Sequence, residues 1–166
     1  SNWVSAIKPW IVFFQNVDAI IGPDDPVVYP EHLTKALDYE LELCIVLAKA
    51  GKFFDEKAAP DYIGGYIIFN DITARDIQRR EMESANFCFS KSIDTFCPFG
   101  PWVTTADEIA DPADLALRTW VNGELRQDAS TKDLIFDPAA LIEHLSTAFT
   151  LEPGDLISTG TPAGVA

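Results

Sequence analysis

Basic residues are scarce in this sequence, and their scarcity excludes whole classes of partner. Lys and Arg together number 12 against 26 Asp and Glu, so the 166-residue chain carries a formal net charge of −14. A surface with this charge repels phosphate backbones and anionic lipid headgroups, so we expect no nucleic-acid partner and no membrane association. The sequence also lacks any apolar run of the ~18 residues that a membrane-spanning helix requires.

Cysteine and histidine are also rare. The three cysteines are Cys44, Cys88 and Cys97, and their odd number and wide spacing do not fit a disulfide framework or a zinc cage. We therefore expect reduced thiols and a cytoplasmic location. Neither His32 nor His144 is placed to activate a cysteine, so thiol catalysis is not expected. The first residues lack the basic and apolar segments that are typical of a signal peptide.

The rest of the composition is that of a globular domain rich in short strands. Hydrophobic residues make up 48% of the chain and charged residues 23%, which is enough apolar surface for a core. The Asn122-Gly123 pair between alternating runs predicts a tight β-hairpin. Two short helices are predicted, one over residues 73–83 with Thr73 as N-cap and one over 138–149 with Asp137 as N-cap. Because strands outnumber helices, we predict a mainly β, α+β fold with a twisted or barrel-like sheet.

Acidic residues alternate along a predicted strand over residues 37–47. They are Asp38, Glu40 and Glu42, and a period of two places them on one face, with neighbours ~7 Å apart. Carboxylates this close disfavour joint ionisation unless a cation or water screens them. For an arbitrary sequence a solvated strand face is the commoner interpretation. Here the apolar residues after Glu42 make the strand look central, and a further carboxylate, Asp71, follows the apolar run at 66–69.

This set of oxygen ligands predicts a hard divalent cation, and the Mg²⁺ pattern, or Mn²⁺, fits it best. A cation held there can chelate a small anionic 2-oxo or diketo acid through two oxygens. Arg75 and Lys91 lie close to the acids in sequence, and we interpret both as candidates for binding the substrate. Lys91 can equally be a residue whose apolar stem packs while its ammonium reaches water. The terminal loop at 159–164 can bind an anion through its backbone N–H groups or can be a plain turn.

Six segments together resemble the fumarylacetoacetate hydrolase superfamily, in the family's order and approximate spacing. They are DYELEL at 38–43, NDITARDIQ at 70–78, KSIDTFCPFGPW at 91–102, VNGE at 121–124, LEPGD at 151–155 and TGTPAGV at 159–165. The resemblance implies a rolled or barrel-like mixed sheet with few short helices, a homodimer, and one divalent metal in each subunit. It implies that Glu40, Glu42 and Asp71 hold the metal. Substrate contacts would fall on Gln78, Lys91 and Thr161.

The resemblance also implies the chemistry, which in this superfamily passes through a metal-bound enol or enolate. We predict a divalent-metal-dependent enzyme acting on a 2-oxo or β-diketo acid, with Lys91 and Gln78 as catalytic residues. The first hypothesis is hydrolysis of a C–C bond, as in an acylpyruvate or fumarylacetoacetate hydrolase. The second is an oxaloacetate decarboxylase, a tautomerase or a hydroxymuconate-type isomerase that does not activate water. The third is a catalytically silent metal-binding subunit.

One departure from the superfamily pattern separates the first two hypotheses. Many members carry an Asn-aromatic pair followed by a His and a Glu on a lid, and these two residues activate the attacking water. Asn2-Trp3 begins like that motif, but Ala6 stands where the His would be. We interpret residues 1–166 as a single catalytic domain. Because the His is missing, we interpret residues 1–21 as the remnant where a lid would attach. We expect the domain to be incomplete at both ends.

Overall fold

The computed structural model describes residues 10–86 and 88–165, and ten strands and two α-helices lie within them. Residues 2–6, where the sequence departs from the lid motif, lie outside the described residues. The strands are β1 Ile20–Ile21, β2 Leu37–Asp38, β3 Leu41–Leu47, β4 Ile63–Asn70, β5 Thr73–Ala74, β6 Cys97–Pro98, β7 Thr104–Thr105, β8 Ala116–Val121, β9 Glu124–Ser130 and β10 Leu156–Ser158. The helices are α1 Arg75–Met82 and α2 Pro138–Ser146. The predicted α+β class with few short helices is confirmed.

The strands form four sheets. The largest is antiparallel with the order β10-β3-β4-β7, and β8 and β9 form a separate hairpin. Two short pairs complete the set, β1 with β6 in parallel and β2 with β5 antiparallel. The sheets therefore have mixed strand directions, and they do not close into a barrel within the described part of the chain.

Strand β3 lies at the centre because both of its faces are buried. Leu43, Ile45 and Leu47 belong to the main hydrophobic core, which they share with the fully buried Ile142 of α2. Cys44, on the opposite face, packs in a second cluster with Phe69 and Cys97. Each buried Leu or Ile side chain contributes about 1.5–3 kcal/mol, so β3 is fixed from both sides. Glu42 shares the face of Cys44, away from α2.

The acidic stretch is not one continuous strand, as predicted for residues 37–47. Leu37 and Asp38 pair with β5, whereas pairing with β4 begins at Leu41, so the chain changes partner at residues 39–40. Thr73 was predicted to cap a helix, and this prediction is wrong. Thr73 pairs in β5 instead, and α1 begins two residues later without a side-chain cap.

Other local predictions are confirmed. Asn122 and Gly123 both adopt positive φ angles, 52° and 82°, as the turn between β8 and β9 requires. The Asp137 carboxylate accepts a hydrogen bond from the Ala140 N–H at 2.8 Å and caps α2, although this helix ends at Ser146, three residues before the predicted end. Within the described residues, no helix is long and apolar enough to cross a membrane.

Candidate metal centre

Three buried carboxylates meet where the central strand pair ends. Glu40 lies just before β3, Glu42 lies within it, and Asp71 directly follows β4. One oxygen of each side chain lies within 4.8 Å of one oxygen of each of the others. Only 7%, 4% and 3% of these residues, respectively, is exposed. The structure thus brings together the three residues that the sequence predicted as metal ligands.

The pairing of β3 with β4 explains why these carboxylates meet. The register places Leu41 opposite Asn70, so Asp71 emerges from β4 beside the start of β3. The Asp71 N–H donates to the Glu40 carbonyl at 2.8 Å, and the Asn70 side chain accepts from the Glu40 N–H at 3.0 Å. These bonds continue the ladder past the last paired residues and hold Glu40 against Asp71.

Lys91 places its ammonium group between two of the carboxylates. Its Nζ donates to Glu40 Oε2 at 2.8 Å, to Asp71 Oδ2 at 2.5 Å and to Thr73 Oγ1 at 2.8 Å. Only 3% of Lys91 is exposed, so the ammonium does not reach water as the alternative interpretation required. Burial lowers the pKa of Lys91, but the charges of Asp71 and Glu40 outweigh it and raise the pKa overall. Lys91 is therefore a buried residue whose charged form the two carboxylates favour.

Arg75, at the start of α1, is the second cation of the site. Its Nε donates to Asp38 Oδ2 at 2.6 Å, and its Nη1 lies 2.5 Å from Glu40 Oε1. Nη1 also donates to the Gln78 side-chain oxygen at 2.9 Å, so Gln78 contacts the arginine in the described structure. The second terminal nitrogen, Nη2, is buried without a hydrogen-bond partner. Both N–H donors of Nη2 are therefore unused in the described structure.

Two polar residues that the sequence analysis missed, Ser158 and Gln15, bind one further oxygen each of Glu42 and Asp71. Glu42 Oε2 accepts hydrogen bonds from the Ser158 hydroxyl and from the Gly160 N–H, the latter at 2.8 Å. Gln15 donates to Asp71 Oδ1 at 2.7 Å. The only sequence signal for Ser158 is a polar residue at the end of the apolar strand β10. Gln15 has no such signal, because a single polar residue after Phe13 and Phe14 is ordinary.

Thr161 and its loop face β3. The Thr161 hydroxyl donates to the Leu41 carbonyl at 2.9 Å, and the Thr159 hydroxyl donates to the Leu43 carbonyl at 2.8 Å. With the Gly160 N–H on Glu42, these groups fasten the loop to the strand that carries the acids. A substrate contact by Thr161 stays a prediction, as does one by Gln78.

The electrostatics of the site fit a divalent cation. Burial, followed by the charge of Asp71, raises the pKa of Glu42 to about 8, and burial raises the pKa of Asp71 to about 6. Four carboxylates, including Asp38, stand against the two cations Lys91 and Arg75, which leaves a net charge of −2 when all are ionised. The atoms that Glu40, Glu42 and Asp71 offer to a metal are all oxygens, the ligand type that hard divalent ions prefer. The residues present can therefore hold a metal ion.

Both histidines lie away from the carboxylates. His32 is exposed in the turn before β2. His144 belongs to α2, which packs on the face of β3 opposite to Glu42, and its ring stacks on Trp10 with centroids 4.2 Å apart. Neither histidine is among the residues that donate hydrogen bonds to the carboxylates of Glu40, Glu42 and Asp71 in the described structure. These residues are Lys91, Arg75, Gln15, Ser158 and Gly160.

Comparison with known proteins agrees with this geometry. The sequence model of the fumarylacetoacetate (FAA) hydrolase C-terminal family matches residues 1–166. The chain belongs to the fumarylacetoacetate hydrolase family. The resemblance that the six segments carried is confirmed.

Relatives within this family carry different activities in their names. Oxaloacetate tautomerase YisK of Bacillus subtilis is 46% identical over 155 residues, which are 93% of this chain and 50% of the relative. A 5-carboxymethyl-2-hydroxymuconate delta-isomerase structure from Mycobacterium smegmatis is 42% identical with a TM-score of 0.87, over 94% of this chain and 59% of that one.

A hydrolase is similar to this chain at a comparable sequence identity. Maleylpyruvate hydrolase from Sphingobium sp. SYK-6, solved with manganese(II) and pyruvate, is 40% identical with a TM-score of 0.78, over 90% of this chain and 53% of that one. This chain therefore spans between half and three-fifths of the length of these relatives. The tautomerase, the isomerase and the hydrolase have similar sequence identities to this chain, between 40% and 46%.

Proposed function

We propose that this chain is an Mg²⁺- or Mn²⁺-dependent enzyme that moves a proton on a small 2-oxo acid, with keto–enol tautomerisation of oxaloacetate as its reaction. One observation carries the choice of reaction. In the described structure, two cations, Lys91 and Arg75, lie against the carboxylates, and both histidines lie elsewhere. Such a site suits the stabilisation of an anionic oxygen better than the activation of a water molecule.

The residues of the chain divide the work of this reaction. Tautomerisation removes a proton from C3 of the acid, adds a proton to the C2 oxygen and breaks no carbon–carbon bond, so it requires a proton acceptor near C3 but no attacking water. Lys91 keeps its proton because its pKa is raised, and it can turn an N–H from Glu40 or Asp71 toward the developing enolate oxygen. The free Nη2 donor of Arg75 is available to a substrate carboxylate. A divalent cation on Glu40, Glu42 and Asp71 would act as a Lewis acid on the substrate carbonyl.

C–C hydrolysis of an acylpyruvate is the second candidate, and it is favoured by the similarity to the maleylpyruvate hydrolase solved with manganese and pyruvate. Hydrolysis requires a base within ~3 Å of the attacking water, directly or through one relay. The two described histidines do not fill this role. Decarboxylation of oxaloacetate uses the same stabilised enolate, so it belongs with the first proposal. A silent metal-binding subunit would bind the ion and catalyse none of these reactions.

Parallel assays with enol-oxaloacetate and an acylpyruvate distinguish these functions. We expect Mn²⁺-dependent tautomerisation to exceed acylpyruvate cleavage, and EDTA to abolish it. In Glu42→Gln the metal-dependent rate should fall by about 10²–10³-fold, the order typical of one electrostatic stabiliser. Glu124→Gln, an equivalent change in an exposed ion pair with Arg126, should keep the wild-type rate. Faster acylpyruvate cleavage would favour the hydrolase, and Mn²⁺ binding without either reaction would favour the silent subunit.

We also propose that the enzyme is a cytoplasmic homodimer built from a single catalytic domain over residues 1–166. Exposed aromatic residues support a dimer, because Phe14, Trp102 and Trp120 each leave more than half of their surface exposed to water. Light scattering at micromolar concentration checks the assembly, and a monomer would contradict it.

A further inference from the structure

A single buried amide joins three parts of the chain behind the carboxylates. Gln127 lies in β9 and is completely buried. Its Oε1 accepts hydrogen bonds from the Leu41 N–H at 3.1 Å and from the Thr119 hydroxyl at 3.0 Å. Its Nε2 donates to the Thr161 hydroxyl at 2.9 Å and to the Pro162 carbonyl at 3.1 Å. The side chain therefore uses both acceptor positions and both donors of its amide.

The residue held by this amide stands between two of the predicted metal ligands. Leu41 separates Glu40 from Glu42, and its backbone faces the side of β3 where β10 runs. Strand β10 pairs with β3 only over Val46, Ile45 and Cys44, and one more bond runs from the Thr159 N–H to the Leu43 carbonyl. Beyond that point, no strand among the described residues pairs with Leu41 on this side.

Two side chains take the place of the missing strand. Gln127 accepts from the Leu41 N–H, and the Thr161 hydroxyl, itself held by Gln127, donates to the Leu41 carbonyl at 2.9 Å. A buried backbone group left without such a partner is costly, so this pair fixes the orientation of both peptide groups of Leu41. Those two peptide groups set the distance and direction from the Glu40 Cα to the Glu42 Cα.

We infer that Gln127 is a positioning residue that fixes Glu40 and Glu42 relative to each other through the backbone of Leu41. The inference rests on the proposed metal site. Glu40 precedes the first ladder residue of β3, and its own N–H and carbonyl are held on the β4 side by Asn70 and Asp71. The bonds of Gln127 and Thr161 to Leu41 fix the chain on the other side, between Glu40 and Glu42. A clamp built from one amide and one hydroxyl keeps the two carboxylates at one spacing whether or not a cation lies between them.

Isothermal titration with Mn²⁺ on folded protein tests the inference without any assay of activity. Gln127→Met keeps the length of the side chain and removes all four hydrogen bonds. We expect it to weaken Mn²⁺ binding by about 10–100-fold, the usual effect of losing a group that orients a metal ligand. Thr119→Val is the matched control, because it removes a bond to the same amide and leaves Leu41 and Thr161 in place. It should lower the melting temperature but keep the wild-type affinity.

A second pair of variants covers the case in which Gln127→Met does not fold. Thr161→Val removes only the hydroxyl between Gln127 and Leu41, so it should also weaken Mn²⁺ binding, and Thr161→Ser should restore it. If Gln127→Met binds Mn²⁺ as tightly as the wild type, this inference is overturned and the proposed metal site is not. If Gln127→Met does not fold, the same result in Thr161→Val overturns it. Failure of the wild-type protein to bind Mn²⁺ overturns the proposed metal site and this inference with it.

Discussion

Replacing Lys91 by methionine tests whether this buried cation balances the charge of the carboxylate cluster. The ammonium lies 2.8 Å from Glu40 and 2.5 Å from Asp71, and all three side chains are less than one-tenth exposed. Methionine has a similar length and no charge. The substitution therefore leaves four buried carboxylates against Arg75 alone, and the net charge of the ionised cluster goes from −2 to −3.

The cost follows from burial. Removing one partner of a buried ion pair costs about 3–5 kcal/mol, because the other partner is left uncompensated. We expect Lys91→Met to lose this much of the free energy of unfolding in EDTA, out of the roughly 5–15 kcal/mol that is ordinary for a domain. Saturating Mn²⁺ should narrow the deficit, because a divalent cation brings the cluster from −3 to −1.

Urea unfolding followed by circular dichroism, in EDTA and in Mn²⁺, measures both effects. Arg118→Met is the matched control, because it breaks an ion pair with Asp128 whose side chains are about half exposed. Such a pair contributes only ~0.2–1 kcal/mol. If Lys91→Met and Arg118→Met lose equal stability in EDTA, the cluster is not held by its charge balance and the reasoning is refuted.

Two further predictions concern protons and the ligand Glu42. In EDTA, the free energy of unfolding should fall as the pH rises from about 4.5 to about 8, because raised pKa values of about 8 for Glu42 and about 6 for Asp71 make the folded protein hold more protons than the unfolded chain in this window. Thermal melts across this pH range check the prediction. In Glu42→Gln the melting temperature should fall less with pH, and a wild-type melting temperature that rises with pH would contradict the prediction. Ser158→Ala should weaken Mn²⁺ binding about 10-fold, because Glu42 loses a hydroxyl donor. Titration calorimetry measures this, with the exposed Thr147→Ala as control, and equal affinities for Ser158→Ala and the wild type would refute it.

Local features of this protein were predictable from the sequence because neighbouring residues decide them. The Asn122-Gly123 turn depends on two residues that accept positive φ angles. The start of α2 depends on Asp137 and the proline after it. The acids at 40 and 42 share a face because side chains alternate along an extended chain. Six motifs in series also identified the family, although none of them alone would have done so.

Tertiary structure decided where each of these groups finds its partner. The acidic stretch divides at residues 39–40 because its two halves pair with different strands, and Thr73 joins β5 where its sequence favoured a helix cap. Lys91 becomes a buried cation through contacts with Glu40, 51 positions away.

Two contacts that sequence analysis did not predict join residues far apart along the chain. Ser158 reaches Glu42 across 116 positions, and Gln127 reaches Leu41 across 86. No local periodicity encodes such pairs. They exist because folding buries polar groups whose hydrogen bonds to water are lost, and each group must then find a partner wherever the packed chain provides one.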